Sequence, residues 1–259
     1  MPHILTQKDF RQRRSLTFCY LCGQPLKNDS KLNDDHCPPK AVFKNEDRRD
    51  YSLTLKVHES CNSRWHKYDE QFSILYDALH GGSKIEAKRD MEIIDVRNSD
   101  GIFPALTGVP FIELGFRVAQ CAHALMYGTS LAANMRRHIH VPLPEVDTKN
   151  SNRMKQVPPI IHRAAEALCT SQKTSTHNSL VAYGGKFRFV STWVQISDGT
   201  SLCMFAFDIY RMAPLGWDVP GFPRCFVGYY PGAMPSNAVM CASEEIEHTN
   251  AQVAYPILI

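Results

Sequence analysis

Residues 53–62 read LTLKVHESCN. The first part of this stretch alternates. Tyr51, Leu53, Leu55 and Val57 take turns with Ser52, Thr54 and Lys56, the period-two pattern of a strand with one buried face. The second part holds His58 and Cys61 as a His-x-x-Cys pair. Upstream, CYLCGQPL (19–26) supplies Cys19 and Cys22 as a Cys-x-x-Cys pair, with Gly23 behind it. Zinc takes four nitrogen or sulfur ligands in a tetrahedron, and two such pairs brought together provide them. After Cys61 the period changes. Trp65, Tyr68, Phe72, Leu75 and Leu79 recur at steps of three and four, one face of a helix that Gly81 and Gly82 end.

Between the two pairs lies NDDHCPPKAVF (33–43). It sets Asp34, Asp35 and His36 side by side and follows them with Pro38 and Pro39. The prolines exclude a regular central strand just downstream. Neighbouring residues on a flat strand point to opposite faces, so Asp35 and His36 share a site only if the backbone bends there. A strand end or loop is therefore expected. The order along the chain is metal pair, strand-like segment, strand, metal pair, helix: a β-β-α unit clamped by zinc.

The stretches CYLCG, DDHCPPKAVF, LTLKVHESCN and KYDEQF together resemble the HNH nuclease family, the ββα-metal fold, over about residues 17–75. The resemblance implies a DNA endonuclease that hydrolyses phosphodiester bonds. It implies His36 as general base, suited to this at neutral pH as an unprotonated imidazole. It implies Asp35 and Asn62 as ligands of a catalytic Mg²⁺ or Mn²⁺ ion, and Cys19, Cys22, His58 and Cys61 as ligands of a structural Zn²⁺. Cleavage through a metal-bound 3′ oxygen leaves 5′-phosphate and 3′-hydroxyl ends. Lys40, Arg64 and Lys67 are candidate phosphate contacts, which position nucleic acid without reading its sequence. His66, one helical turn after Asn62, is either a further site residue or a surface histidine. Asp34 is either a spare ligand or a surface charge.

Two departures from the family pattern stand out. His58 replaces a cysteine common at the start of the second pair. Ser52, Leu53 and Thr54 stand where the middle asparagine is usual, and Asn45 lies too far upstream to match it.

The rest of the 259-residue chain bounds the reading. Lys and Arg number 29 against 26 Asp and Glu, a net +3, so charge alone does not argue for nucleic acid. The nine cysteines are odd in number and mostly scattered, which is no disulfide framework. No signal-peptide core or run of about 20 apolar residues occurs, so the expected setting is cytoplasmic, without a membrane partner. HGGSK (80–84) reads as a helix stop and a joint. The expected fold is therefore α+β: an N-terminal zinc-stabilised ββα nuclease domain (1–82), then a C-terminal α+β domain (83–259) for target binding, oligomerisation or regulation.

In that second part, residues 111–128 read as a buried helix, 141–159 as a proline-flanked loop and 160–172 as a short helix. KFRFVSTWVQI and LCMFAFDIY form a hairpin around SDGTS (197–201), and RCFVGYY (224–230) adds a strand. DNA is the expected partner ahead of RNA, with a regulatory protein or a second copy as further candidates. A partner-controlled effector in bacterial anti-phage defence is compatible with this layout. The competing reading is a zinc-stabilised module that binds nucleic acid or protein without catalysis.

Overall fold

The computed structural model describes residues 4–5, 16–49, 53–79, 92–98, 101–107, 110–140, 178–195, 199, 201–209 and 226–236. The structure is α+β. Its strands are β1 (Ile4–Leu5), β2 (Leu32–His36), β3 (Thr54–His58), β4 (Glu92–Asn98), β5 (Gly101–Thr107), β6 (Ile139–His140), β7 (Asn178–Ala182), β8 (Phe187–Gln195), β9 (Ser201–Ile209) and β10 (Phe226–Pro231). Its helices are α1 (Glu59–Ser63), α2 (His66–Leu79) and α3 (Phe111–Tyr127).

β2 and β3 form an antiparallel pair in which Asp34 faces Lys56, Asp35 faces Leu55 and His36 faces Thr54. The alternation read from the sequence holds in β3, where Leu55 and Val57 are buried and Lys56 is exposed. α1 follows β3 directly and packs on both strands. The single helix expected after Cys61 is two helices. The chain turns at Arg64 and Trp65, where the Trp65 N–H bonds the Asn62 carbonyl at 2.9 Å and α2 starts anew. The turn exposes Arg64 and lays the Trp65 ring against Tyr68, with centroids 5.1 Å apart.

The larger sheet runs β1-β7-β8-β9-β10-β6, antiparallel apart from the β1–β7 edge. The expected hairpin is β8–β9, with Gly199 at φ 82 in the turn. Its paired residues Phe187 and Ile209, Phe189 and Phe207, and Trp193 and Cys203 are all buried. At Gly228 of β10 a glycine is required. Phe205, its partner on β9, lays its ring over it, and a Cβ there would lie 2.3 Å from that ring.

Leu114 to Tyr127 of α3 are buried without interruption, the pattern of a helix packed on all sides. Gly128 ends it in the left-handed region at φ 69 and returns its N–H to Ala124 at 2.9 Å. One side of α3 meets the sheet: the Tyr127 hydroxyl bonds Ser191 at 2.9 Å, and His123 Nδ1 bonds the Tyr230 hydroxyl at 2.6 Å. Another side meets the ββα unit through Arg117. One apolar cluster runs through Cys19, Val42, Phe43, Leu55, Val57, Phe72, α3 and the sheet.

The β4–β5 hairpin and β7 were not anticipated from the sequence. The Asp100-Gly101 dipeptide between β4 and β5 was the available signal. The joint at 80–84, the loop at 141–159 and the helix at 160–172 fall outside the described residues.

Candidate functional site

Cys19, Cys22, His58 and Cys61 come together as the spacing suggested. Their ligand atoms all lie within 4.8 Å of one another. The first pair is shaped by a tight loop: the Gly23 N–H returns to the Cys19 carbonyl at 2.7 Å, and the Cys19 N–H reaches the Gln24 carbonyl at 2.8 Å. Gly23 sits at φ 76, where a side chain is strained, and a Cβ there would lie 3.0 Å from Ser130 Oγ. The second pair spans the junction of β3 and α1. His58 Nε2 hydrogen-bonds the Pro25 carbonyl at 3.2 Å, which turns Nδ1 toward Cys22 Sγ at 3.4 Å.

The chemistry of this set fits a cation. Burial and the neighbouring sulfurs push the Cys61 thiol up to about 12, and burial raises Cys19. At Cys22 burial is outweighed by hydrogen bonds from the Gln24 backbone, His58 and the other two cysteines, and the thiol is lowered. One thiolate is thus favoured in the cluster, and all three ionise together only when a metal neutralises them. Three sulfurs, one imidazole nitrogen and a carbonyl on the far imidazole nitrogen suit tetrahedral zinc.

The other expected residues are distributed differently. β2 stays in its ladder through His36, so Asp35 and His36 point to opposite faces. The bend that would bring them to one face is absent, and the strand ends only after His36, at a cis Cys37–Pro38 peptide. On the outward face, Asp34 pairs with Lys56 at 2.9 Å, an exposed contact of small energetic weight. His36 is half-buried. Burial, then the charge of Lys40, lowers its pKa below the ordinary value against the pull of Asp35 and Asp34. The imidazole is therefore neutral at pH 7 and able to accept a proton.

Asp35 faces inward and is 3% exposed. The Tyr20 hydroxyl donates to its Oδ2, and Arg117 Nη2 donates to its Oδ1. The other end of the guanidinium, Nη1, holds Asp69 at 2.6 Å, and the Trp65 ring lies 5.2 Å from its carbon. Burial by itself would lower the Arg117 pKa. The carboxylates of Asp35 and Asp69 overcome that, and the group is held well above its ordinary value. Burial and Asp35 push the Tyr20 phenol up, so it remains a donor.

As placed, Asp35 does not fit a divalent cation. Both of its oxygens are engaged, and a fixed positive charge lies against it.

Asn62 is half-buried in α1. Lys40, Arg64, His66 and Lys67 are exposed, and Lys67 Nζ stands 4.6 Å from the centre of the Tyr68 ring. Two residues missed in the sequence brace the loop after His36. Tyr183, held at φ 51, stacks on Phe43 at 3.9 Å and donates to the Pro38 carbonyl at 3.0 Å. Arg117 is the other. Its signal was present: a lone cation inside a helix read as buried requires a buried partner.

Comparison with family models, with curated proteins and with solved structures finds no match to this chain. No helix among the described residues is long and apolar enough to cross a membrane.

Proposed function

We propose that this chain is a zinc-stabilised nuclease of the HNH type that hydrolyses phosphodiester bonds of DNA, with His36 as general base. The observation that carries this reading is His36 itself: a neutral, half-buried imidazole at the last position of β2, on an antiparallel pair locked to α1 by the Cys19, Cys22, His58 and Cys61 cluster. The base takes a proton from water. The hydroxide joins phosphorus, the P–O3′ bond breaks, the 3′ oxygen takes a proton from water, and His36 returns its proton to the solvent. The products are 5′-phosphate and 3′-hydroxyl ends. Exposed Lys40 and Arg64 are suited to hold the flanking phosphates. Of the two residues expected to hold Mg²⁺ or Mn²⁺, Asn62 is half-buried in α1 and Asp35 is engaged by Arg117.

A specific observation favours the second reading, a zinc-stabilised binding module without catalysis. Both aspartates before His36 are already ion-paired, Asp34 to Lys56 and Asp35 to Arg117. The two readings part on one assay. Supercoiled plasmid and a structured RNA are incubated with the purified chain, with Mg²⁺, with Mn²⁺ and without added divalent cation, and the ends of any product are determined. Nicked or linear DNA with 5′-phosphate ends supports the nuclease. Tight binding with both substrates intact supports the module.

A further inference from the structure

We propose that Arg117, delivered by α3, is the resident cation of the candidate site. It occupies the place beside Asp35 that a divalent ion was expected to fill. The proposal deepens the nuclease reading and rests on it for the site's chemistry, while its test does not.

Three observations carry it. The first is connectivity. One guanidinium spans two carboxylates, Asp35 through Nη2 and Asp69 through Nη1, as a shared metal ion would. Arginine is suited to this because its flat fork is permanently charged and offers several donors at fixed geometry. Tyr20 takes the remaining oxygen of Asp35.

The second is burial. Arg117 is 1% exposed and Asp35 3%. A hard divalent ion keeps several waters when it binds, and this position gives it none. Bringing a second cation to Asp35 would set two positive charges together away from solvent.

The third is placement. Arg117 holds both chain neighbours of His36. Its guanidinium binds Asp35, and its backbone carbonyl accepts the Cys37 thiol at 3.6 Å. The helix buried against the large sheet is thereby tied to the strand end that presents the imidazole. A shift of α3 moves that strand end with it.

The test is Mn²⁺ binding, followed by electron paramagnetic resonance on the full chain with its zinc content verified. The wild type, Asp35→Asn, Arg117→Ala and the Asp35→Asn/Arg117→Ala double variant are compared. Alanine vacates the place of the guanidinium, so that water and an ion can enter beside Asp35 and Asp69. The wild type and Asp35→Asn are expected to bind Mn²⁺ equally. Arg117→Ala is expected to gain a Mn²⁺ site at least about tenfold tighter than any in the wild type, and the double variant to lose it. A wild-type Mn²⁺ affinity that falls tenfold or more in Asp35→Asn overturns the proposal, because Asp35 is then a metal ligand. A folded Arg117→Ala with no gain also overturns it. If Arg117→Ala does not fold, the wild type against Asp35→Asn decides alone, since that change keeps the side chain's shape. Cleavage is not read here, so a chain that never cuts DNA can pass, and a chain that cuts can fail.

Discussion

Replacing Arg117 by Met tests how firmly α3 and the ββα unit are joined. The change keeps most of the side-chain volume and removes the charge. Asp35 is then left 3% exposed, with the Tyr20 hydroxyl but without a counter-ion. Removing one partner of a buried ion pair costs about 3–5 kcal/mol, because the remaining charge stays desolvated. Asp69 adds less, since its side chain is 32% exposed and water replaces part of what is lost. Domains of this size have total stabilities of about 5–15 kcal/mol. A loss near 4 kcal/mol corresponds to roughly a 10 °C fall in Tm for a chain of this length. Asp35→Asn and Asp69→Asn added to Arg117→Met remove the stranded charges, and most of the loss is expected to return. The assay is thermal unfolding followed by circular dichroism on the wild type, the single variant and the triple variant. A single variant that melts within about 2 °C of the wild type would refute the reasoning, as would a triple variant no more stable than the single one.

Stability falls in acid through His123. Burial lowers its pKa to about 4, whereas the unfolded chain titrates near the ordinary 6.5. The unfolded state therefore binds the extra proton first as pH falls. The native contribution is full above pH 6.5 and declines by about 3 kcal/mol by pH 4, and His123→Gln is expected to flatten that part of the profile in a denaturant titration. Gly228→Ala drives a Cβ into the Phe205 ring and is expected to cost about 1–3 kcal/mol by the same measurement. If the Cys19, Cys22, His58 and Cys61 cluster holds zinc, a chelator removes a contribution on the order of 10 kcal/mol to the ββα unit, and Cys61→Ser removes part of it. Hydrogen exchange then reports loss of protection in β2, β3 and α1 ahead of β8 and β9; simultaneous loss would contradict an independent metal clamp.

What could be read from the sequence was what local chemistry determines. The Cys/His cluster that could hold a metal ion was legible because zinc needs four soft or borderline ligands and short loops present them in pairs. β3 was legible from its alternation, and α3 from an apolar run ending at Gly128. The environment of Asp35 was not. Its partners Tyr20 and Arg117 lie 15 and 82 residues away in sequence, and Asp69, which shares Arg117, lies 34 away, and no spacing rule connects them. The geometry at Asp35–His36 was half legible. The sequence placed both residues at a strand end or in a loop, yet nothing local showed that the ladder continues through His36 and turns the two side chains apart. Arg117 shows how such a case can be read further: a charge within a fully buried helix implies a buried counter-charge, even where its identity must come from the fold.

The central claim is that His36 acts as the base. Single-turnover cleavage of supercoiled plasmid at pH 7.5, a pH of about one unit above the free imidazole pKa, is compared between the wild type and His36→Ala at equal zinc content and equal Tm. The expected result is cutting by the wild type and a rate roughly 10²-fold or more lower in the variant, the size of a lost general base. Equal rates, or a wild type that leaves every nucleic acid substrate intact, would contradict it.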